Sequence, residues 1–252
     1  MTTPVDTGLW LRAYGEAKDA RARLICFPHA GGSASYFFPV ATALAPEFDV
    51  RAVQYPGRQD RRHEPLIETV GELATQISDA IEPVMRGPVA FFGHSMGAVL
   101  AFEVARRFEE RGGAGPITVF ASGRRAPSVI RDDSARARDD ATVIEEMRKL
   151  GGTDSRVLAD REMLDMVLPA IRNDYRAVAN YRPTEHVRIA APIVVLTAVD
   201  DPRTTVAEAR AWHDHTSAGG AIHTFEGGHF YLESRGSEVI SLIAETLRDL
   251  VP

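Results

Sequence analysis

Six short apolar runs alternate along the chain with segments of helical periodicity. The runs are "RLICFP" from Arg23, "FDVRAVQYPG" from Phe48, "GPVAFFG" from Gly87, "ITVFASG" from Ile117, "APIVVLTAVDDP" from Ala191 and "AIHTFEGG" from Ala221. Runs this short and this uniformly apolar suit strands covered on both faces, and the helices between them supply the crossovers that parallel strands require. The pattern predicts an α/β chain with a mostly parallel central sheet and helices on both faces. The helical segments are "ELATQISDAIEPVM", Ser95–Arg111, "VAEARAWHDHT" and "EVISLIAETLRDLV". Serines in "HAGGSASYFFPVATALA" are suited to capping a further helix.

The alternation breaks once. From Arg124 to about Arg182 there is no convincing strand, only amphipathic stretches such as "TVIEEMRKLGG" and "REMLDMVLPAIRNDYRAVANY". This segment reads as a helical lid inserted into one domain that spans residues 1–252. Met163, Met166, Leu168 and Tyr175 are its candidate pocket-lining residues, with packing of the lid onto the domain the favoured role for most of them.

Composition narrows the function classes. The chain has 252 residues, a formal net charge of −6 and one cysteine, Cys26. Such an acidic balance argues against a general nucleic-acid binder. A single cysteine forms no internal disulfide, and a reducing cytoplasm is the expected location. The first residues lack a basic stretch followed by an apolar core, so no signal peptide is expected. The longest apolar candidate, "YFFPVATALA", falls short of the ~20 residues that span a bilayer.

The residues that carry chemistry begin at "VAFFGHSMGAVLAFEVARR". A Gly-x-Ser-x-Gly motif is weak alone, but here it closes an apolar strand and opens a helix, the context of a nucleophile elbow. In such a turn Ser95 is exposed for attack, and Gly93 and Gly97 allow strand and helix to approach closely. The N–H of Met96, next to the nucleophile, is a donor for an oxyanion, and the helix N-terminus favours developing negative charge.

A serine hydroxyl needs a base, and the base needs an orienting carboxylate. The elbow architecture orders them serine, acid, histidine. "IVVLTAVDDP" offers Asp200 and Asp201 after a late strand, and their spacing does not separate them. "FEGGHFYLE" places His229 before the last helix. The second oxyanion donor belongs in the loop after the first apolar run, "CFPHAGGSASY"; Ala30 is the choice and Gly31 the alternative. His94 flanks the nucleophile and is expected to support the elbow. His213 and His215 are two apart on an expected helix and do not share a face, so no metal pair is expected. His29, His63, His186 and His223 show no partner pattern.

Taken together, "FPHAGGSASYF", "VQYPGRQDRRHEP", "FFGHSMGAVLAFEVARR", "DDPR" and "GGHFYL" resemble the free-standing type II thioesterases of polyketide and nonribosomal peptide synthases, over Leu24–Leu232. The resemblance implies an α/β-hydrolase fold with a helical lid. It also implies hydrolysis of acyl groups from the phosphopantetheine arm of carrier domains, clearing aberrant or stalled chains. Carried over, the nucleophile falls on Ser95, the base on His229, the acid on Asp201 directly before the proline, and the oxyanion donors on Ala30 and Met96. No metal and no dissociable cofactor is implied.

The implied partners are acyl carrier and peptidyl carrier domains, with no nucleic acid and no membrane. Arg58, Arg61 and Arg62 in "PGRQDRRHE" are candidates for steering an acidic carrier, against the alternative of a solvated loop face. Other functions compatible with the same residues are a general carboxylesterase or lipase, an acyl-transferring or cyclising thioesterase, and a non-catalytic binding protein on a hydrolase scaffold.

Overall fold

The structure is a computed structural model that describes residues 6–15, 17–133, 139–152, 155–183 and 187–251. Seven strands form one sheet: β1 (Leu11–Ala13), β2 (Ala22–Phe27), β3 (Phe48–Val53), β4 (Val89–His94), β5 (Val119–Ser122), β6 (Ile193–Ala198) and β7 (Ile222–Phe225). Their order is β1-β3-β2-β4-β5-β6-β7. β1 runs antiparallel to β3, with Leu11 opposite Val53; every other neighbouring pair is parallel.

The apolar runs are continuous because alternate residues feed two cores. Ile25, Phe27, Phe91, Val119 and Val195 face the layer built by α3 (Val70–Ile81) and α4 (Met96–Glu110). Leu24, Cys26, Phe92, Phe120 and Leu196 face the opposite layer, built by α2 (Phe38–Leu44) and α10 (Gly236–Leu250). The first ten residues of α4, Met96–Ala105, are all buried, and nine of them are nonpolar, the exception Glu103 being paired with Arg106 and Arg107. A helix nonpolar on nearly every side is one enclosed on nearly every side.

Between β5 and β6 lie α5 (Asp140–Leu150), α6 (Ser155–Ala159) and α7 (Arg161–Asn180), with no strand among the described residues there. Val143, Met147, Leu168 and Ile171 form a separate apolar cluster within this lid. Asp139 caps α5 by accepting from the Thr142 N–H, and Asp160 caps α7 by accepting from the Glu162 and Met163 N–H groups. Of the four residues named as possible pocket lining, Met163 and Met166 are exposed on α7 and Leu168 belongs to the lid cluster.

Several local expectations are corrected. Neither serine of "GGSASYFF" caps an α-helix: Ser33 precedes a 3-10 turn at Ala34–Phe37 without a side-chain cap, and α2 begins at Phe38 with Pro39 in its first turn. The segment "VAEARAWHDHT" is a short helix, α8 (Val206–Arg210), opened by a capping box of Thr205 and Glu208, then a 3-10 turn at Ala211–His215. β1, α1 (Thr7–Trp10) and α9 (Tyr231–Ser234) are three or four residues long, too short for any period to announce them. No helix among the described residues is long and apolar enough to cross a membrane.

Candidate active site

β4 delivers His94, and the chain turns sharply at Ser95, whose φ of 55° and ψ of −113° are rare for a residue with a side chain. Such a conformation costs on the order of 1–3 kcal/mol and persists only where its surroundings enforce it. They do so here. The Ser95 N–H donates to the Ser122 carbonyl at 2.8 Å, stitching the turn to the end of β5. A Cβ on Gly97 would lie 1.9 Å from the Phe27 carbonyl oxygen, and one on Gly93 would lie 2.1 Å from the Gly97 oxygen. Any side chain at either position would push α4 off β2 and β4.

The loop after β7 brings His229 to this turn. Its Nε2 is 3.0 Å from the Ser95 Oγ, and its Nδ1 is 2.9 Å from Asp201 Oδ2. Asp201 follows β6, is buried, and accepts the Arg203 N–H on its other oxygen at 2.8 Å. Asp200 points elsewhere: it is exposed, and its N–H donates to the Gly227 carbonyl at 3.1 Å. The geometry therefore separates the two aspartates that spacing left equal.

Two further histidines lie close by. His94 Nδ1 is 2.9 Å from the Ser122 Oγ, and that oxygen is 2.6 Å from the Tyr231 hydroxyl. His29 packs edge-on against Tyr36 and Phe230. Burial, reinforced by the neighbouring His229, pushes the His29 pKa down to about 3 and holds His94 well below the usual histidine range. Both are neutral near neutral pH, so neither adds a positive charge beside His229. His215 is buried and hydrogen-bonded to Ser128 and the Val187 carbonyl. His186 lies outside the described residues. Among the described residues no group of three His, Cys, Asp or Glu could hold a metal ion.

The loop after β2 carries Ala30. The Gly32 N–H donates to the His29 carbonyl at 2.9 Å. In a trans peptide the N–H points opposite to its carbonyl, so the Ala30 N–H is directed away from that turn. The Gly31 N–H is occupied: it donates to Asp174 Oδ2 at 2.8 Å. Of the two alternatives in this loop, the Gly31 N–H is taken by Asp174, and Ala30 lines the cavity beside Ser95. Ala30, Met96, Ser95 and His229 line the same cavity, with Arg124, Arg203 and Tyr175 on its walls. It adjoins a chamber of about 210 Å³ lined by Met147, Leu150, Val167, Ile171 and Tyr175 of the lid and by Phe230.

The arginine cluster is corrected. Arg58 is 6% exposed and Arg61 4%. Arg58 pairs with Asp174 and donates to the Pro56 carbonyl at 2.6 Å. Arg61 pairs with Glu64, donates to the Gln54 carbonyl and lies over the Trp10 ring at 4.3 Å. Buried and paired, these two present no charge to a partner; Arg62 alone of the three is exposed.

Sequence reasoning missed Asp174. It is 2% exposed and follows Leu168 and Ile171 at three-residue steps along the buried stripe of α7. An acid in an apolar stripe is the signal that could have found it. The Arg203–Glu146 pair, which ties the Asp201 loop to α5 at 2.9 Å, has no such signal.

Comparison with known proteins gives the family. The model of the thioesterase domain matches residues 22–247. The chain is 49% identical over 248 residues to a probable cadicidin biosynthesis thioesterase of Streptomyces griseus, covering 98% of this chain and 68% of that one. It is 45% identical over 244 residues to the thioesterase PikA5 of Streptomyces venezuelae, covering 96% and 87%. The solved structure of BorB, the type II thioesterase from the borrelidin biosynthetic cluster, superposes with a TM-score of 0.88 at 47% identity, covering 98% of this chain and all of that one. The sheet order, the elbow at Ser95 and the lid between β5 and β6 are those of an α/β-hydrolase, and the chain belongs to the thioesterase family, as a hydrolase of thioesters similar to the type II enzymes of polyketide and nonribosomal peptide pathways.

Proposed function

We propose that this thioesterase removes acyl groups from the phosphopantetheine arm of acyl or peptidyl carrier domains through an acyl-enzyme on Ser95. The observation that carries the reading is the continuous chain from Ser95 Oγ through His229 to Asp201, at 3.0 Å and 2.9 Å, opening on a cavity that leads under the lid. His229 takes the Ser95 proton as the oxygen attacks the thioester carbonyl. Asp201 holds the imidazole tautomer and stabilises its charged form. The N–H groups of Met96 and Ala30 receive the oxyanion. The pantetheine thiol departs as a good leaving group, with its proton from His229. Water then enters, gives a proton to His229 and releases the acid.

The chemistry draws only on these side chains and backbone groups and calls for no metal or dissociable cofactor. The lid chamber is walled mainly by aliphatic and aromatic residues, which suits the hydrocarbon end of an acyl group. Relatives named for biosynthetic pathways support carrier domains as the partners. Such partners favour a cytoplasmic location, and the single buried Cys26 needs no oxidising environment.

The test compares acetyl, propionyl and butyryl groups loaded on a carrier protein with the same groups on small oxygen esters, using Ser95→Ala as the blank. Faster hydrolysis from the carrier is the expected result. Equal or faster cleavage of the oxygen esters would make this a general esterase.

A further inference from the structure

We propose that Asp174, on the lid helix α7, is a positioning residue for the oxyanion hole: its carboxylate grips the Gly31 N–H and so fixes the direction of the Ala30 N–H beside it. This rests on the reading of Ser95 and Ala30 given above.

The loop that carries Ala30 is pinned from outside at three places. The Tyr55 hydroxyl donates to the Pro28 carbonyl at 3.0 Å, and Gln54 Oε1 accepts the Ala34 N–H at 2.8 Å. Both of these come from the end of β3, on the body of the domain. The third pin, Asp174 Oδ2 on the Gly31 N–H at 2.8 Å, comes from the lid. It is the pin nearest to Ala30. Gly31 has a φ of +75°, and a Cβ there would lie 2.4 Å from Ile171 Cγ1 of the same helix. The lid helix therefore rests directly on the peptide that follows Ala30.

The carboxylate is itself held. Arg58 donates to the same Oδ2. The Arg58 backbone carbonyl accepts from Gln54 Nε2 at 3.1 Å, so the arginine and the second pin share a support. A buried acid is tolerated only when paired and hydrogen-bonded, and here the Gly31 N–H belongs to a loop that lines the lid chamber, while Arg58 belongs to the loop after β3. Neutral packing would hold a lid helix down equally well. A charged acceptor aimed at one loop N–H adds what packing does not: a directional constraint on a donor loop, made only while the lid is seated.

The experiment uses Asp174→Ala, Asp174→Asn and the paired variant Asp174→Asn/Arg58→Gln, with Leu164→Ala as a lid variant, at a partly buried side chain packed on the lid's own apolar cluster. Each is measured for kcat and KM on a butyryl-pantetheine thioester, and for inhibition by a butyl trifluoromethyl ketone, which forms a tetrahedral adduct on the serine and places an oxyanion in the hole. We expect Asp174→Ala to lower kcat about 10- to 100-fold, comparable to losing part of one oxyanion donor. KM should change less than about threefold, and ketone affinity should fall with kcat. Asp174→Asn keeps an acceptor for the Gly31 N–H and should recover much of both, the more so when Arg58 is neutralised with it. Leu164→Ala should lower thermal stability without this selective loss of ketone affinity.

The inference is overturned if a folded Asp174→Ala keeps kcat and ketone affinity within about twofold of the parent, or if only KM moves. If Asp174→Ala does not fold, the Asn variants decide by the same criteria. A parent protein that neither hydrolyses the thioester nor binds the ketone would refute the underlying reading, and the inference would fall with it.

Discussion

His94 Nδ1 lies 2.9 Å from the Ser122 Oγ, on the strand next to its own. The same hydroxyl oxygen reaches the Tyr231 hydroxyl at 2.6 Å, two residues beyond His229. One buried chain of three side chains thus joins the residue before the nucleophile to the segment after the histidine, and sets the separation of the two loops that must meet.

Cutting that chain should loosen the site before it unfolds the protein. Tyr231→Phe keeps the ring but leaves a buried Ser122 hydroxyl short of a partner, a loss of about 1–2 kcal/mol. The expected outcome is a lower midpoint in chemical denaturation and a few-fold lower kcat; an unchanged midpoint would show that the hydroxyl contributes nothing.

Asp201 and Asp200 are adjacent and chemically identical, so they make a stringent pair. Asp201→Asn removes the carboxylate 2.9 Å from His229 Nδ1 and should lower kcat by about 10³- to 10⁴-fold, as loss of the triad acid does elsewhere. Asp200→Asn, at an exposed side chain, should stay within about twofold. Steady-state kinetics on a small thioester decides between them.

Stability should fall with acid above the carboxylate range. His29 and His94 bind fewer protons in the folded chain than in the unfolded one, because burial lowers both pKa values. Stability contributed by a neutral buried histidine is therefore full above the unfolded value near 6.5 and is lost as pH drops below it, for His29 down to about 3. Each contributes up to about 1.4 kcal/mol per pH unit in that window. Thermal midpoints measured from pH 7 to pH 5 should decline, and His29→Phe, which keeps a ring against Tyr36 and Phe230, should flatten the decline. An identical slope in the variant would contradict the assignment.

The arginines divide by burial. Arg61→Ala removes a guanidinium that bonds the Gln54 carbonyl and lies over Trp10, and should cost about 1–3 kcal/mol of stability. Arg62→Ala should change stability by less than about 0.5 kcal/mol. Any effect on a carrier-bound substrate but not on a small thioester is then expected from Arg62 alone, and is read from the ratio of the two KM values.

Much of this architecture was legible in the residues. The six runs became β2 to β7: β4, β5 and β6 are buried at every position, as doubly covered strands must be, whereas β3 with Asp49 and Arg51 and the edge strand β7 with no buried residue were legible from their place in the alternation with helices. Gly93 and Gly97 were legible because an elbow imposes them locally, and the order of serine, acid and histidine because the fold fixes it, with Asp200 and Asp201 left equal. What stayed hidden depends on distance in sequence. The partner of Arg58 is 116 residues away, so its charge read as a surface feature. Asp174 lay inside an amphipathic pattern that explained itself without it. Asp200 and Asp201 differ only in where the turn after β6 points them, which is set by tertiary contacts and by no property of the two residues.

Hydrolysis by this route passes through a covalent acyl intermediate on Ser95. The most direct measurement mixes the protein with a butyryl-loaded carrier, quenches in acid within the first turnover, and determines the intact mass and the modified peptide. The predicted result is the mass of one butyryl group on the peptide "FFGHSMGAV", localised to Ser95 and absent from Ser95→Ala. Turnover with no acyl-protein at any quench time and retained by Ser95→Ala, or the acyl group found on another residue, would contradict it.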